Sequence, residues 1–283
     1  MRILRTTQAI RTWRHRQDKH KTSIGFVPTM GALHDGHRSL IARAKKTCDN
    51  VVISIFVNPL QFELSEDFGR YPQDLSKDLT ICRKEKADVV FIPKPQDLYP
   101  QDFQTMVTVN KLSQRWEGEH RPTHFQGVTT IVAKLLNLLR PSQTFLGQKD
   151  YQQFLVIRQL VKDLELDTKL TLGPTIREED GLALSSRNQY LLPTQRQQAL
   201  LLYQALSSGK QAIKKGERRA RVVEKCMAAI FKTKHQGHID YLACCEARTL
   251  EPRPRIQGNV VLLGALWIGN VRLIDNLVVS VRE

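Results

Sequence analysis

Hydrophobic residues in this chain fall into short unbroken runs, separated by stretches where they recur every three or four positions. The first run, Ser23-Ile24-Gly25-Phe26-Val27, is apolar and closed by Pro28, the pattern of a buried strand. Residues 38–46 behind it carry their apolar positions on one side, which predicts a helix. Residues 51–57 are continuously apolar, as in a strand of a parallel sheet covered on both faces. Helix is predicted over 74–86, strand over 87–92 up to Pro93 and Pro95, and a more exposed, alternating strand over 105–109. A strongly apolar helix over 127–139 ends before Pro141, then a short strand at 142–146 and a helix at 151–164. Ahead of them all, 7–17 reads as a capped helix. Alternation of this kind predicts an α/β fold built on a doubly wound parallel sheet.

The pattern changes near residue 175. Residues 193–215 and 218–234 read as two helices split at Gly216. Three strand-like runs follow, at 239–245, 260–268 and 271–281, with Gly269-Asn270 as a turn between the last two. This predicts a larger domain over 1–175 and a smaller C-terminal α+β domain over 176–283.

Composition narrows the class. With 41% apolar and 25% charged residues, the chain has the balance of a soluble globular protein. No apolar run is long enough to span a bilayer, and the Arg-rich N-terminus lacks the apolar centre of a signal peptide. A cytoplasmic protein without a targeting segment is expected. The five cysteines are odd in number and include no Cys-x-x-Cys, which fits reduced thiols better than disulfides or a zinc site. The net charge of +15 invites a nucleic-acid reading, but +6 of it lies in residues 1–21 and +7 in residues 207–237. Such runs are ordinarily solvated helix faces, and the second has no interleaved aromatics on which bases could stack. No nucleic-acid or membrane partner is expected.

Candidate chemistry concentrates at His34-Asp35-Gly36-His37, between the first run and the helix behind it. Free backbone N–H groups and the positive end of a helix dipole collect at such a junction, which suits phosphate. Imidazoles there add hydrogen-bond donors, and Gly36 lets the backbone approach a ligand. Metal binding would need a further ligand of the right kind, and Asp35 points elsewhere on a helical turn.

Other motifs stand at the carboxyl ends of predicted strands, where α/β sheets bind ligands. Asn58 and Gln61 follow the run at 51–57, and come near the two histidines if those strands are neighbours. Their amides could bind hydroxyl and carboxylate groups, or simply close a turn. Gly147-Gln148-Lys149-Asp150 follows the strand at 142–146. Lys149 and Asp150 suit phosphate and ribose, or a solvated Lys beside a capping Asp. Gln153 lies one turn further on. Ser185-Ser186-Arg187 offers an anion clamp, although so short a motif is common by chance. Val128, Ile131 and Val132 share a helix face, which spacing alone assigns to core packing.

Taken in order, the motifs resemble the pantoate–β-alanine ligase family of the nucleotidylyltransferase superfamily. They are Pro28-Thr29-Met30-Gly31-Ala32-Leu33-His34-x-Gly36-His37, Ser54-Ile55-Phe56-Val57-Asn58-Pro59-x-Gln61-Phe62, Arg121-Pro122-Thr123-His124-Phe125-x-Gly127-Val128, Lys149-Asp150-Tyr151-Gln152-Gln153, Asp180-Gly181-Leu182-Ala183-x-Ser185-Ser186-Arg187-Asn188 and Arg272-Leu273-Ile274-Asp275-Asn276. The resemblance implies a Rossmann-like nucleotide- and pantoate-binding domain. It implies ATP-dependent ligation of pantoate and β-alanine through a pantoyl adenylate, releasing pyrophosphate and AMP and leading to coenzyme A. Catalysis would fall to His34, His37, Lys149 and Arg187, with Mg²⁺ accompanying ATP. Met30, Gly147, Asp150, Ile176, Leu184, Ser185 and Ser186 would complete the ATP site. Phe56, Asn58, Gln61, Val128, Ile131, Val132 and Gln153 would receive pantoate and β-alanine. Two departures stand out: Leu184 where the family often has Met, and Gln148 where Glu is usual.

A homodimer formed through the first domain is also implied. Within the sequence its only support is the sheet surface expected at 51–57 and 105–109. Two other functions remain open on the residues alone: a nucleotidylyltransferase that makes no amide, and a basic RNA-binding protein on an old nucleotide fold.

Overall fold

The computed structural model describes residues 1–62, 69, 71–231 and 237–281. Residues 232–236, the last part of the helix expected over 218–234 and of the second basic run, lie outside the described residues. The chain divides into two compact units. One comprises Met1–Gln148 and Gln152–Pro174, the other Lys149–Tyr151 and Thr175–Glu283.

The first unit is built from β1 (Arg2–Leu4), α1 (Thr7–His20), β2 (Ile24–Thr29), α2 (Asp35–Thr47), β3 (Asn50–Ile55), α3 (Leu75–Lys84) and β4 (Val89–Phe91). Two one-turn helices follow, α4 (Pro95–Leu98) and α5 (Glu117–His120), then α6 (His124–Leu139), β5 (Gln143–Gly147), α7 (Tyr151–Asp163) and β6 (Lys169–Gly173). The six strands form one parallel sheet in the order β1-β4-β3-β2-β5-β6. Side chains alternate across it. Ile24, Phe26 and Val52 join a core with Ile10, Trp13 and Leu136 from α1 and α6. Val27, Val51 and Ile53 face the other way, with Leu40, Ile41, Ala44 and Cys82 from α2 and α3. Both faces are therefore covered, which explains the unbroken apolar runs of the inner strands.

Two expectations change here. Residues 105–109 form no strand. The Val107 N–H donates to Thr130 Oγ1 at 3.0 Å and its carbonyl accepts from Thr129 Oγ1, so α6 satisfies the backbone that a ladder would otherwise have paired. The alternation came from an extended segment lying on a helix. The sheet-surface argument for a dimer also fails, because β3 has a strand on either side and the sheet edges are β1 and β6.

The second unit contains α8 (Pro193–Lys214), α9 (Ala220–Ala229) and an antiparallel sheet of β7 (Gly237–Glu246), β8 (Asn259–Ile268) and β9 (Val271–Ser280). Gly269 turns β8 into β9 with φ +55°, as the sequence suggested. Leu202, Leu206, Val223 and Met227 of the helices pack with Leu262, Leu266 and Leu273 of the sheet. Cys244 and Cys245 are both buried, and neither forms a disulfide. Among the described residues no helix is long and apolar enough to cross a membrane.

Candidate active site

In the first unit the strand order reverses at β2, which sends the chain to β3 on one side and pairs with β5 on the other. Loops leaving the carboxyl ends of such a strand pair diverge and open a crevice. Thr29 begins the loop after β2, donating from Oγ1 to the Ser54 carbonyl at 2.7 Å and accepting from Gly31 N–H at 3.2 Å. Gly31 has φ +88°, and a Cβ there would stand 2.9 Å from Asp78 Oδ2, so a side chain is barred on both counts. The Asp78 carboxylate, reaching from α3, accepts from the N–H groups of Ala32 (3.0 Å) and Leu33 (2.7 Å). Burial pushes its pKa above the ordinary carboxylate range, against the pull of those two donors.

His34 is the N-cap of α2. Its Nδ1 accepts from Gly36 N–H at 3.1 Å, and His37 Nδ1 accepts from His34 N–H at 3.3 Å. The arrangement is a reciprocal capping box made of two imidazoles. Their rings lie 4.2 Å apart at 52°. In these contacts each Nδ1 is the accepting nitrogen, which leaves Nε2 as the ring's donor atom. Both histidines are thus set as N–H donors at a helix N-terminus. Asp35 is exposed and pairs with Arg38 at 2.7 Å.

The turn at Pro59–Gln61 follows β3, the parallel neighbour of β2. Gln61 Nε2 donates to Met30 Sδ at 2.8 Å, so the two loops do meet. Asn58 is buried, with every polar atom of its side chain engaged. Its Nδ2 donates to Gln61 Oε1 and to the Gly127 carbonyl, both at 3.1 Å, and its Oδ1 accepts from Tyr99 Oη at 2.7 Å. The Gln61 carbonyl accepts from Arg121 Nη2 at 3.2 Å and lies 2.9 Å from His124 Nδ1, which accounts for those two motif residues. A Cβ on Gly127 would stand 2.1 Å from the Leu60 carbonyl oxygen, so glycine lets α6 meet the turn. Phe56, Val128, Ile131 and Val132 are all buried in the first unit's core, as the helical spacing of the last three indicated. Gln153 is half-buried, and its amide has no hydrogen-bond partner among the described residues. Around Gly147, at the end of β5, no atom of the described residues beyond its chain neighbours lies within 4 Å of the place a Cβ would take.

In the second unit, Lys149, Ser185 and Arg187 line one open cleft, together with Arg272 and Tyr203. Lys149 Nζ donates to Asp150 Oδ1 at 3.3 Å, and its carbonyl accepts from Asn276 Nδ2 at 2.8 Å. Tyr151 Oη donates to the Ala247 carbonyl at 2.9 Å. These bonds explain why residues 149–151 belong with this unit although β5 precedes them. Residues 176–184 fold into a tight hairpin closed by the Leu184 N–H donating to the Ile176 carbonyl at 3.0 Å. Gly181 turns it with φ +99°, where a Cβ would collide with Tyr203 at 2.2 Å. Arg177 holds the hairpin, its guanidinium bidentate to the buried Asp275 (2.7 and 2.9 Å), donating to the Gly181 carbonyl (3.0 Å) and lying 4.5 Å over the Tyr203 ring. Ser185 Oγ accepts from the Arg187 N–H at 3.2 Å and caps the turn at Ser186–Tyr190. The Arg187 guanidinium has no ion pair among the described residues.

Asp78, Tyr99, Arg177, Asp275 and Asn276 organise these loops, and sequence reasoning gave none of them a role. For the last three the signal was present, because they stand in or beside quoted motifs.

The whole length of the chain is similar to known proteins. A family profile described as Pantoate-beta-alanine ligase matches residues 2–278. The pantothenate synthetase of Moorella thermoacetica is 47% identical over 283 residues, covering 100% of both chains. That of Thermotoga petrophila is 44% identical, covering 99% of this chain and 100% of its own. Among solved structures, the pantothenate synthetase of Thermus thermophilus superposes with a TM-score of 0.94 at 41% identity, covering 98% of this chain and 99% of its own. The pantoate-beta-alanine ligase of Francisella tularensis, complexed with beta-gamma ATP and beta-alanine, has a TM-score of 0.79 at 35% identity, covering 98% and 97%.

Proposed function

Because the chain belongs to the pantoate–β-alanine ligase family, we propose that it joins the two substrates through a pantoyl adenylate. A pantoate carboxylate oxygen attacks the α-phosphorus of ATP, the bond to the bridging oxygen breaks, and pyrophosphate leaves. The β-alanine amine then attacks the acyl carbon, AMP departs, and the amine proton goes to solvent. The observation that carries this reading is the paired cap at His34 and His37. Two fixed Nε2–H donors at a helix N-terminus fit phosphate oxygens that gain charge as the carboxylate approaches.

The two units carry different groups. In the first, Met30, His34, His37 and Gly147 serve ATP, and Gln61 and Gln153 serve the hydroxyl and carboxylate of pantoate. Phe56, Val128, Ile131 and Val132 support the wall around the pantoate methyl groups. Asn58 holds Gln61 rather than touching substrate, since its amide is fully bonded to protein. In the second, Lys149, Ser185, Ser186 and Arg187 bind phosphates, Asp150 the ribose, and Ile176 and Leu184 the adenine through the hairpin backbone. Mg²⁺ would arrive with the triphosphate. No three His, Cys, Asp or Glu side chains among the described residues are grouped to hold a metal, so its ligands would be mainly phosphate oxygens and water. A cytoplasmic homodimer is part of this reading, resting on the family alone.

The test is AMP release with each substrate omitted in turn. Release that requires ATP, pantoate and β-alanine together supports the ligase. Pyrophosphate release without amide formation would make it a nucleotidylyltransferase. Salt-sensitive RNA binding without ATP turnover would make it an RNA-binding protein.

A further inference from the structure

A chain of oriented hydrogen bonds runs from Tyr99, through Asn58, to Gln61, all within the first unit. Its direction is fixed by one atom that admits no choice. The Gly127 carbonyl can only accept, so the Asn58 atom 3.1 Å away must be the NH₂ nitrogen. Asn58 Oδ1 then faces Tyr99, whose hydroxyl must donate. The other Asn58 N–H meets the Gln61 amide, whose facing atom must therefore be oxygen. That turns Gln61 Nε2 toward Met30 Sδ at 2.8 Å, with a second N–H that has no partner among the described residues. Burial pushes the Tyr99 hydroxyl well above its ordinary pKa, so it stays a donor. Its ring is held edge-on by Phe103 at 5.0 Å, with the Lys134 ammonium over both rings. The donor cannot swing away.

We propose that Tyr99 is a positioning residue for substrate specificity: acting through Asn58, it fixes Gln61 as an N–H donor, so the substrate oxygen received there must be a hydrogen-bond acceptor. Resting on the ligase reading, this assigns to Gln61 an acceptor oxygen of the hydroxy acid. Rotation of the Gln61 amide would present a carbonyl instead and repel that oxygen.

The experiment uses Tyr99→Phe, which keeps the ring and removes only the donor, together with Gln61→Ala and the double variant. Losing one hydrogen bond to a buried acceptor should raise the pantoate KM roughly tenfold, while kcat and the ATP KM stay within about twofold. The double variant should match Gln61→Ala, because Tyr99 acts only through that amide. Additive effects, or an ATP defect equal to the pantoate defect, overturn the proposal. A second readout needs no substrate. The side-chain amide ¹⁵N–¹H signals of Asn58 and Gln61 in the ligand-free protein, assigned from Asn58→Ala and Gln61→Ala, should exchange with water faster in Tyr99→Phe. Unchanged exchange overturns the relay. Faster exchange in a protein that does not consume pantoate would keep the relay and reject the ligase reading.

Discussion

The turn at Asn58–Gln61 and the cleft beside Arg187 are both rich in polar side chains, but they are built on opposite plans. At the turn each amide is bonded at its head: Asn58 holds Gln61, Tyr99 holds Asn58, and Gln61 reaches Met30. At the cleft the backbone is fastened and the Lys149 and Arg187 heads are held more loosely, Lys149 Nζ by its neighbour Asp150 at 3.3 Å. Asn276 grips the Lys149 carbonyl, Ser185 caps the Arg187 N–H, and the Arg187 guanidinium has no ion pair among the described residues. Under the proposed function the physical demands on the two regions differ. Telling one small hydroxy acid from another depends on whether a group donates or accepts at a fixed point, so heads must be locked. Stabilising a polyanion that changes charge during reaction depends on cations that can follow it, so stems are anchored and heads stay mobile.

The histidine pair combines the two plans, and changing it should have the largest effect. His34→Ala or His37→Ala should slow pyrophosphate release by roughly two orders of magnitude or more, the scale for losing one transition-state donor. His34→Asn separates chemistry from capping. Asn caps helices well, so the thermal midpoint should hold while the rate is lost. Recovery of the rate in His34→Asn would mean that the imidazole is only a cap.

Lys149 tests the mobile-head side. Lys149→Ala should slow adenylate formation by roughly tenfold or more but leave attack by β-alanine on supplied pantoyl adenylate nearly unchanged, since pyrophosphate has by then departed. Equal losses in both half-reactions would assign Lys149 elsewhere. Asn276→Ala, which frees the Lys149 backbone, should show the same split more weakly.

On the locked side, Gln61→Ala should raise the pantoate KM about tenfold with little change for ATP. Gln153→Ala should do so less, because Gln153 is not held in place by protein partners among the described residues before substrate arrives. A larger effect at Gln153 than at Gln61 would break the link between locking and recognition.

What the sequence disclosed follows from the range of the interactions. The inner strands were legible because burial on both faces leaves unbroken apolar runs. The edge strands β1 and β6 were missed, being short and half-polar, as at Arg2–Leu4 and Lys169–Gly173. The histidine loop was legible because its parts are neighbours in sequence. Its supports were not, because Asp78 bonds to Leu33 across 45 residues, Tyr99 to Asn58 across 41 and Arg177 to Asp275 across 98. No local pattern announces a lone Asp on a helix or a Tyr after a proline-rich turn as the partner of a distant loop.

The smallest expected effect concerns Leu184, where the family often has Met. The hairpin fixes this residue through its backbone, with the Leu184 N–H on the Ile176 carbonyl at 3.0 Å and Arg177 bracing the turn from behind. If adenine is read by that backbone, the side chain matters only as volume, and Leu and Met are close in volume. Leu184→Met should therefore shift the ATP KM by less than about threefold, on the scale of a tolerated apolar swap. Arg177→Lys, which keeps the charge but loses the bidentate grip on Asp275, should shift it more. Measuring both against the parent enzyme compares a side chain with the backbone that carries it. A Leu184→Met effect exceeding that of Arg177→Lys would place the side chain itself against the nucleotide.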